Sequence, residues 1–125
     1  MVYVVSRSEA VVGAIKGALK DRIVSHASDS ATYISAVLVG LPDKYACVIV
    51  DLATVADAER LIGFTRGSST ISKLPIVVIG TDEQIGQLSD ELQPSINGFV
   101  SVPFEPTEMA AVVASVCRAP LSPSR

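Results

Sequence analysis

Asp51 ends the apolar run Tyr45-Ala46-Cys47-Val48-Ile49-Val50. A carboxylate so placed could ligate a hard cation or accept a phosphoryl group, and both chemistries set conditions on its neighbours. Mg²⁺ needs several oxygen ligands, usually with more than one carboxylate among them. Phosphoryl transfer to a carboxylate needs cationic groups that screen repulsion and stabilise charge on the equatorial oxygens. The residues that follow the other short apolar runs are Ser6 and Arg7, Gly80 and Thr81, and Val102 with Pro103. None of these is a second acid or a lysine. Asp51 beside Arg7 alone is a poor Mg²⁺ site, so neither Mg²⁺ nor any other cofactor is expected. The Arg7 guanidinium could instead reach the Asp51 carboxylate and fill the space a metal would take. Alternatively Arg7 faces solvent and pairs with nothing fixed, as exposed charges commonly do.

Other chemistries fare worse. The single histidine, His26, reads as a loop or surface residue, and no two cysteines have metal-ligand spacing. Cys47 and Cys117 read as small buried hydrophobes in a reducing compartment. The loop Ser6-Arg7-Ser8-Glu9 holds neither the glycines of a phosphate cradle nor a nucleophilic cysteine. That argues against a flavodoxin-like or nucleotide-binding enzyme. Ten Lys plus Arg against 13 Asp plus Glu, a net charge of −3, leave no broad basic surface for nucleic acid. No apolar run reaches the ~18 residues of a membrane span, and a cytoplasmic location is expected. With 49% hydrophobic and 18% charged residues among 125, the chain is expected to fold around one core.

The elements that must position these residues alternate between strand-like and helix-like patterns. Strands are expected at 2–5, 23–26, 45–50, 75–79 and 98–102. Between them lie helical stripes at 8–20 (Val11, Ile15, Ala18, Leu19), at 31–41 (Ala31, Ile34, Val37, Leu38, Leu41), at 55–66 and at 82–92. A last helix is expected at 107–117. Ser8 is placed to cap the first helix, with Glu9 favourable to its dipole. Gly40 with Pro42 ends the second, and Gly67-Ser68-Ser69-Thr70 breaks the third. Gly86 weakens the fourth and Pro94 stops it. Thr54, Asp57 and Glu59 read as the solvated entry to the third helix. Five βα units with right-handed crossovers make a doubly wound parallel sheet. In the order 2-1-3-4-5 its ligand crevice opens at the carboxyl ends of the first and third strands, which gathers the residues named above. The expected domain spans 1–118, with 119–125 as a Pro/Ser-containing tail or linker to a possible fused domain.

Over about residues 2 to 118 the chain resembles the receiver domains of bacterial response regulators, a CheY-like, flavodoxin-like three-layer fold. Asp51 matches the family's phosphoacceptor, Val102-Pro103-Phe104 its Lys-Pro-Phe, and Phe99 its switch aromatic. The resemblance implies a cis Val102–Pro103 peptide. The family's metal-holding acids are here Ser6 and Arg7. Its hydroxyl after the fourth strand is Gly80, unless an offset lets Thr81 serve, and its lysine is Val102. Of the family's functional positions only the aspartate is retained.

This pattern implies a degenerate receiver, a pseudo-receiver, and not an enzyme. Such a domain would act without phosphorylation as a protein-interaction module in a bacterial signalling or assembly protein. Its partner, another protein or a second copy, would bind the face of the fourth helix, fifth strand and fifth helix. Ile85, Phe99 and Phe104 either line that face or belong to the core. The alternative is a genuine phosphoacceptor that uses Asp51 in a two-component phosphorelay.

Overall fold

A computed structural model describes residues 2–20, 22–39, 46–68, 73–88 and 90–121. Its five strands are β1 (Val2–Val5), β2 (Val24–Ala27), β3 (Cys47–Asp51), β4 (Ile76–Gly80) and β5 (Gly98–Ser101). They form one sheet in the order β2-β1-β3-β4-β5, parallel at every pairing. The helices are α1 (Glu9–Ala18), α2 (Ser30–Val39), α3 (Ala58–Gly67), α4 (Asp82–Gly86) and α5 (Pro106–Leu121), with a 3₁₀ turn at Gln93–Ser95. This is the doubly wound fold expected of the sequence.

Strand side chains point alternately to opposite faces, so a strand covered on both sides must be apolar throughout. β3 obeys this: Cys47 and Ile49 enter one core with Ile15 of α1 and Met109 of α5, while Val48 and Val50 enter the other with Leu61 of α3. β4 divides in the same way, Val77 and Ile79 against Ile76 and Val78. The result is a three-layer sandwich, α1 and α5 on one face and α2, α3 and α4 on the other. No described helix is long and apolar enough to cross a membrane.

Several boundaries depart from the sequence reading, each for a local reason. β2 runs one residue later than expected because Val5 pairs with Ala27. α3 starts at Ala58 because the amides of Thr54 and Val55 close a turn on the Asp51 carbonyl, at 3.3 and 3.0 Å. α4 ends at Gly86: the Leu88 amide bonds Ile85 in a tightened turn, and a 3₁₀ turn with Pro94 follows. Glycine here lowers helix stability and proline ends what remains. α5 continues to Leu121, into the segment expected as a tail.

The stripes shift as well. Val12 is buried where Val11 is only half-buried, and Ala31 is exposed while Tyr33 is fully buried. The Tyr33 ring meets Tyr3 edge-on at 5.4 Å, and its hydroxyl pairs with Thr65 Oγ1 at 2.9 Å, joining α2 to α3. Gly40, Leu41, Pro42, Tyr45, Ser69 and Thr70, and the side chains of Val37, Leu38 and Cys117, lie outside what is described. Cys47 is fully buried, as expected.

Candidate functional site

The topology places the carboxyl ends of β1 and β3 side by side, Val5 opposite Val50. Ser6 and Asp51, the residues that end or follow these strands, are therefore neighbours, and both are buried: Ser6 is 0% exposed and Asp51 2%. The Ser6 hydroxyl donates to Asp51 Oδ2 at 2.8 Å and accepts from the Ser8 amide at 3.0 Å. Thr54, in the turn after β3, donates its hydroxyl to the same Oδ2 at 3.1 Å and accepts from the Arg7 amide at 2.9 Å. The Ala53 amide donates to Oδ1 at 3.1 Å. Two hydroxyls and one amide thus hold a buried carboxylate, and each hydroxyl is oriented by a backbone N–H of the β1–α1 loop. Charge-assisted bonds of this kind are the strong ones, and orphaning a buried charge would be costly.

Arg7 departs from the clamp considered above. Its Nε donates to the Ser28 carbonyl at 3.3 Å, away from Asp51, and its charge acts on Asp29. Asp29 lies at the start of α2, where it accepts from the Thr32 amide at 2.8 Å. The Thr32 bonds, with a smaller contribution from Arg7, hold its carboxyl below the usual range. The geometry has a simple cause. With its amide bound to Thr54, Arg7 projects its side chain outward toward β2. His26, exposed on β2, sets its Nε2 against the Ser6 carbonyl at 2.7 Å, so that nitrogen carries the proton.

Gly80 and Thr81 stay apart from the carboxylate. A Cβ on Gly80 would meet Gln84 Oε1 at 3.0 Å and Leu52 Cβ and Cδ1 at 3.2 Å, so this place at the strand end is already filled. The Thr81 hydroxyl accepts from the Gln84 amide at 3.1 Å, and Gln84 Oε1 accepts from the Thr81 amide at 2.9 Å, a capping box that starts α4. The offset that would bring Thr81 to Asp51 does not occur. Val102 packs against the α1/α5 core, and its amide bonds the Gly80 carbonyl at 2.9 Å. The Val102–Pro103 peptide is cis, with Pro103 exposed. Ile85 packs on the α2/α3 side and Phe104 on the α1/α5 side, which leaves Phe99, 40% exposed on the edge strand, as the aromatic that faces solvent.

Sequence reasoning missed Thr54. It reads as solvated, yet it completes the site; the available signal was a hydroxyl three residues after a buried acid, a spacing that suits a turn. The sequence also did not single out Arg66, whose half-buried guanidinium donates to the Leu74 carbonyl at 2.7 Å, to Asn97 Oδ1 at 2.8 Å and to the Ser95 carbonyl. Burial lowers its pKa. Among the described residues, no three His, Cys, Asp or Glu side chains gather as a metal-ligand group.

No protein-family model matches the chain, and no curated protein matches its sequence. Solved structures do match. A sensor protein from Polaromonas sp. JS666 superposes with TM-score 0.80 at 18% identity, over 94% of this chain and 95% of its own. The receiver domain of NtrX from Brucella abortus gives 0.79 at 17%, over 94% and 98%. The chemotaxis response regulator CheY4 of Vibrio cholerae gives 0.72 at 18%, over 92% and 96%. The fold is therefore the flavodoxin-like fold of response-regulator receiver domains, and at these identities the likeness is one of fold.

Proposed function

We propose that this chain is a receiver-type signal-transduction module that binds protein partners in one fixed state, with Asp51 as a structural hub in place of a phosphoacceptor. One observation carries the reading: the buried Asp51 carboxylate is already held by Ser6, Thr54 and the Ala53 amide. An incoming phosphoryl group would have to displace these donors, and no lysine or second acid at the matching positions would stabilise its charge. Losing one positioned electrostatic group commonly costs ~10²–10³ in rate, and here several are replaced together.

Mg²⁺ does not fit this donor set. Ser6 and Thr54 present their protons to Asp51, a single carboxylate is left to ligate, and Mg²⁺ demands near-octahedral oxygen donors. The module's work is then binding without catalysis, in the bacterial cytoplasm, with the face between α4 and α5, where Phe99 on β5 is exposed, as its docking face.

Intact mass after treatment with a small phosphodonor and Mg²⁺ tests the reading. The expected spectrum is unchanged. A labile phosphoryl adduct that disappears in Asp51→Asn would make the chain a genuine phosphoacceptor instead.

A further inference from the structure

Asn97 is the single asparagine of the chain, and Gly98 follows it. In this pairing the next backbone nitrogen reaches the side-chain carbonyl most freely, because glycine has no Cβ to obstruct the approach. Packing dictates both residues. A Cβ on Gly98 would meet Val112 Cγ1 of α5 at 2.8 Å, with Val116 Cγ1 at 3.4 Å and Val77 Cγ2 at 3.6 Å, so α5 closes on β5 over a glycine. Asn97 Oδ1 accepts from the Ile76 amide that opens β4 and from Arg66 Nη2, each at 2.8 Å. The Asn97 backbone amide donates to the Ile76 carbonyl at 2.8 Å, so one residue serves both backbone groups of Ile76. The fold thus requires a chemically labile dipeptide, and Asn97 stands exposed to water.

The reaction open to this pair needs only water. The Gly98 nitrogen, its proton passed to solvent base, bonds to Asn97 Cγ; the Cγ–Nδ2 bond breaks, and that nitrogen leaves as ammonia. Water then opens the cyclic imide. Cleavage on the Cγ side gives aspartate, and cleavage on the main-chain side gives isoaspartate, whose backbone runs through the former side chain. In sum a water enters and an ammonia leaves. Donors on Oδ1 polarise Cγ, which by itself favours attack. The ring closes only when Cγ comes onto the Gly98 nitrogen, however, and position governs such a step. Oδ1 is held from two elements, α3 through Arg66 and β4 through Ile76, while Gly98 is held in register beside Val77.

We propose that Asn97 is a self-modification site, converted to aspartate or isoaspartate when the Arg66 fork opens and protected while it is closed. Arg66 is the gate because its other bonds, to the Leu74 and Ser95 carbonyls, fasten the approaches to β4 and β5 at the same point. The Asn97 side chain therefore swings onto Gly98 through local opening there. The two products leave different structures behind. Aspartate keeps an oxygen for the Ile76 amide and sets a negative charge against Arg66, so the fork closes again. Isoaspartate lengthens the main chain just before Gly98, which takes the carboxylate away from Ile76 and shifts β5 against β4. Loss of ammonia is not reversed in water, so the converted fraction records how often the fork has opened. None of this depends on whether Asp51 takes phosphate, so the phosphodonor experiment tests a separate claim.

Intact mass and peptide mapping of the full chain, during long incubation in warm and mildly alkaline buffer, test the site. The parent is expected to exchange its amide NH₂ for OH at Asn97, slower by about tenfold or more than a synthetic peptide of residues 93–101 in the same buffer. Arg66→Lys, which keeps the charge but not the planar fork, converts faster than the parent, and Arg66→Met comes close to the peptide. Ser6→Ala, at the opposite end of the sheet, leaves the rate unchanged. The parent, weakened by urea to the stability of Arg66→Lys, stays slower than that variant, because the loss it suffers is not local to the fork. The proposal is overturned if the parent converts as fast as the peptide, or if Arg66→Lys converts no faster than the parent. It is equally overturned if the urea-matched parent keeps pace with Arg66→Lys, or if the mass gain maps to a glutamine.

Discussion

The two ends of the sheet solve the same problem with opposite charge. At the carboxyl end a buried anion, Asp51, is held by two hydroxyls and an amide. At the amino end of β4 a cation, Arg66, donates to the Leu74 and Ser95 carbonyls and to Asn97. Asn97 also accepts from the Ile76 amide at 2.8 Å, so the arginine ties α3 to β4 and to the approach to β5 at one point. The donors around Asp51 are small and each bonds once or twice, so losing one leaves the others in place. The Arg66 fork serves several acceptors through one side chain, so a single change takes this donor from the Leu74 and Ser95 carbonyls together and leaves Asn97 only its bond from Ile76. The anionic end is built with redundancy, and the cationic end is not.

Arg66→Met should break that contrast most sharply. Carbonyls of Leu74 and Ser95 lose their donor, which predicts a loss of about 2–3 kcal/mol, read as a lower urea midpoint at unchanged m. A midpoint equal to the parent's would mean water replaces the fork without loss. Ser6→Ala should cost about 1–2 kcal/mol, since Thr54 and Ala53 still hold the carboxylate. Ser6→Asp sharpens the same point. Two carboxylates at hydrogen-bond distance repel, so its melting temperature should fall and should then recover with added Mg²⁺, which leaves the parent's melt unmoved.

Tyr33→Phe comes next, at about 1 kcal/mol for the lost bond to Thr65. Burial raises the Tyr33 pKa above its ordinary 10.0, so the folded state keeps the phenol neutral. That preference stabilises the fold fully below pH 10.0 and fades as pH climbs through the folded-state value. The alkaline fall in stability should therefore be shallower in Tyr33→Phe, as pH-dependent melts would reveal. Arg7→Ala is the smallest, within about 0.5 kcal/mol, because its one side-chain bond is long and exposed.

What could be read from the chain, and what could not, follows from how far each interaction reaches. The strands were legible because a sheet covered on both faces writes its burial into consecutive residues, as Val48 to Val50 show. Asp51 was legible as the charge that ends such a run. The partners of Asp51 were only partly so: Ser6 is 45 residues away and follows from strand order, whereas Thr54 depends on a turn that delays α3. Arg66 meets Ser95 across 29 residues through backbone carbonyls, groups that carry no residue-type signal at all. The Arg7 clamp failed because charge identity says which residues attract, and not which way a loop turns its side chain.

Gly80 couples the end of β4 to the start of α4. A threonine at that position would press on Leu52 and on the Gln84 oxygen that completes the cap of α4. A side chain at position 80 therefore needs Leu52 and Gln84 to give by a few tenths of an ångström, and a smaller residue at 52 would ease the change. Position 80 is thus coupled to the cap of α4 through Gln84, and a substitution there is felt first in how that helix starts.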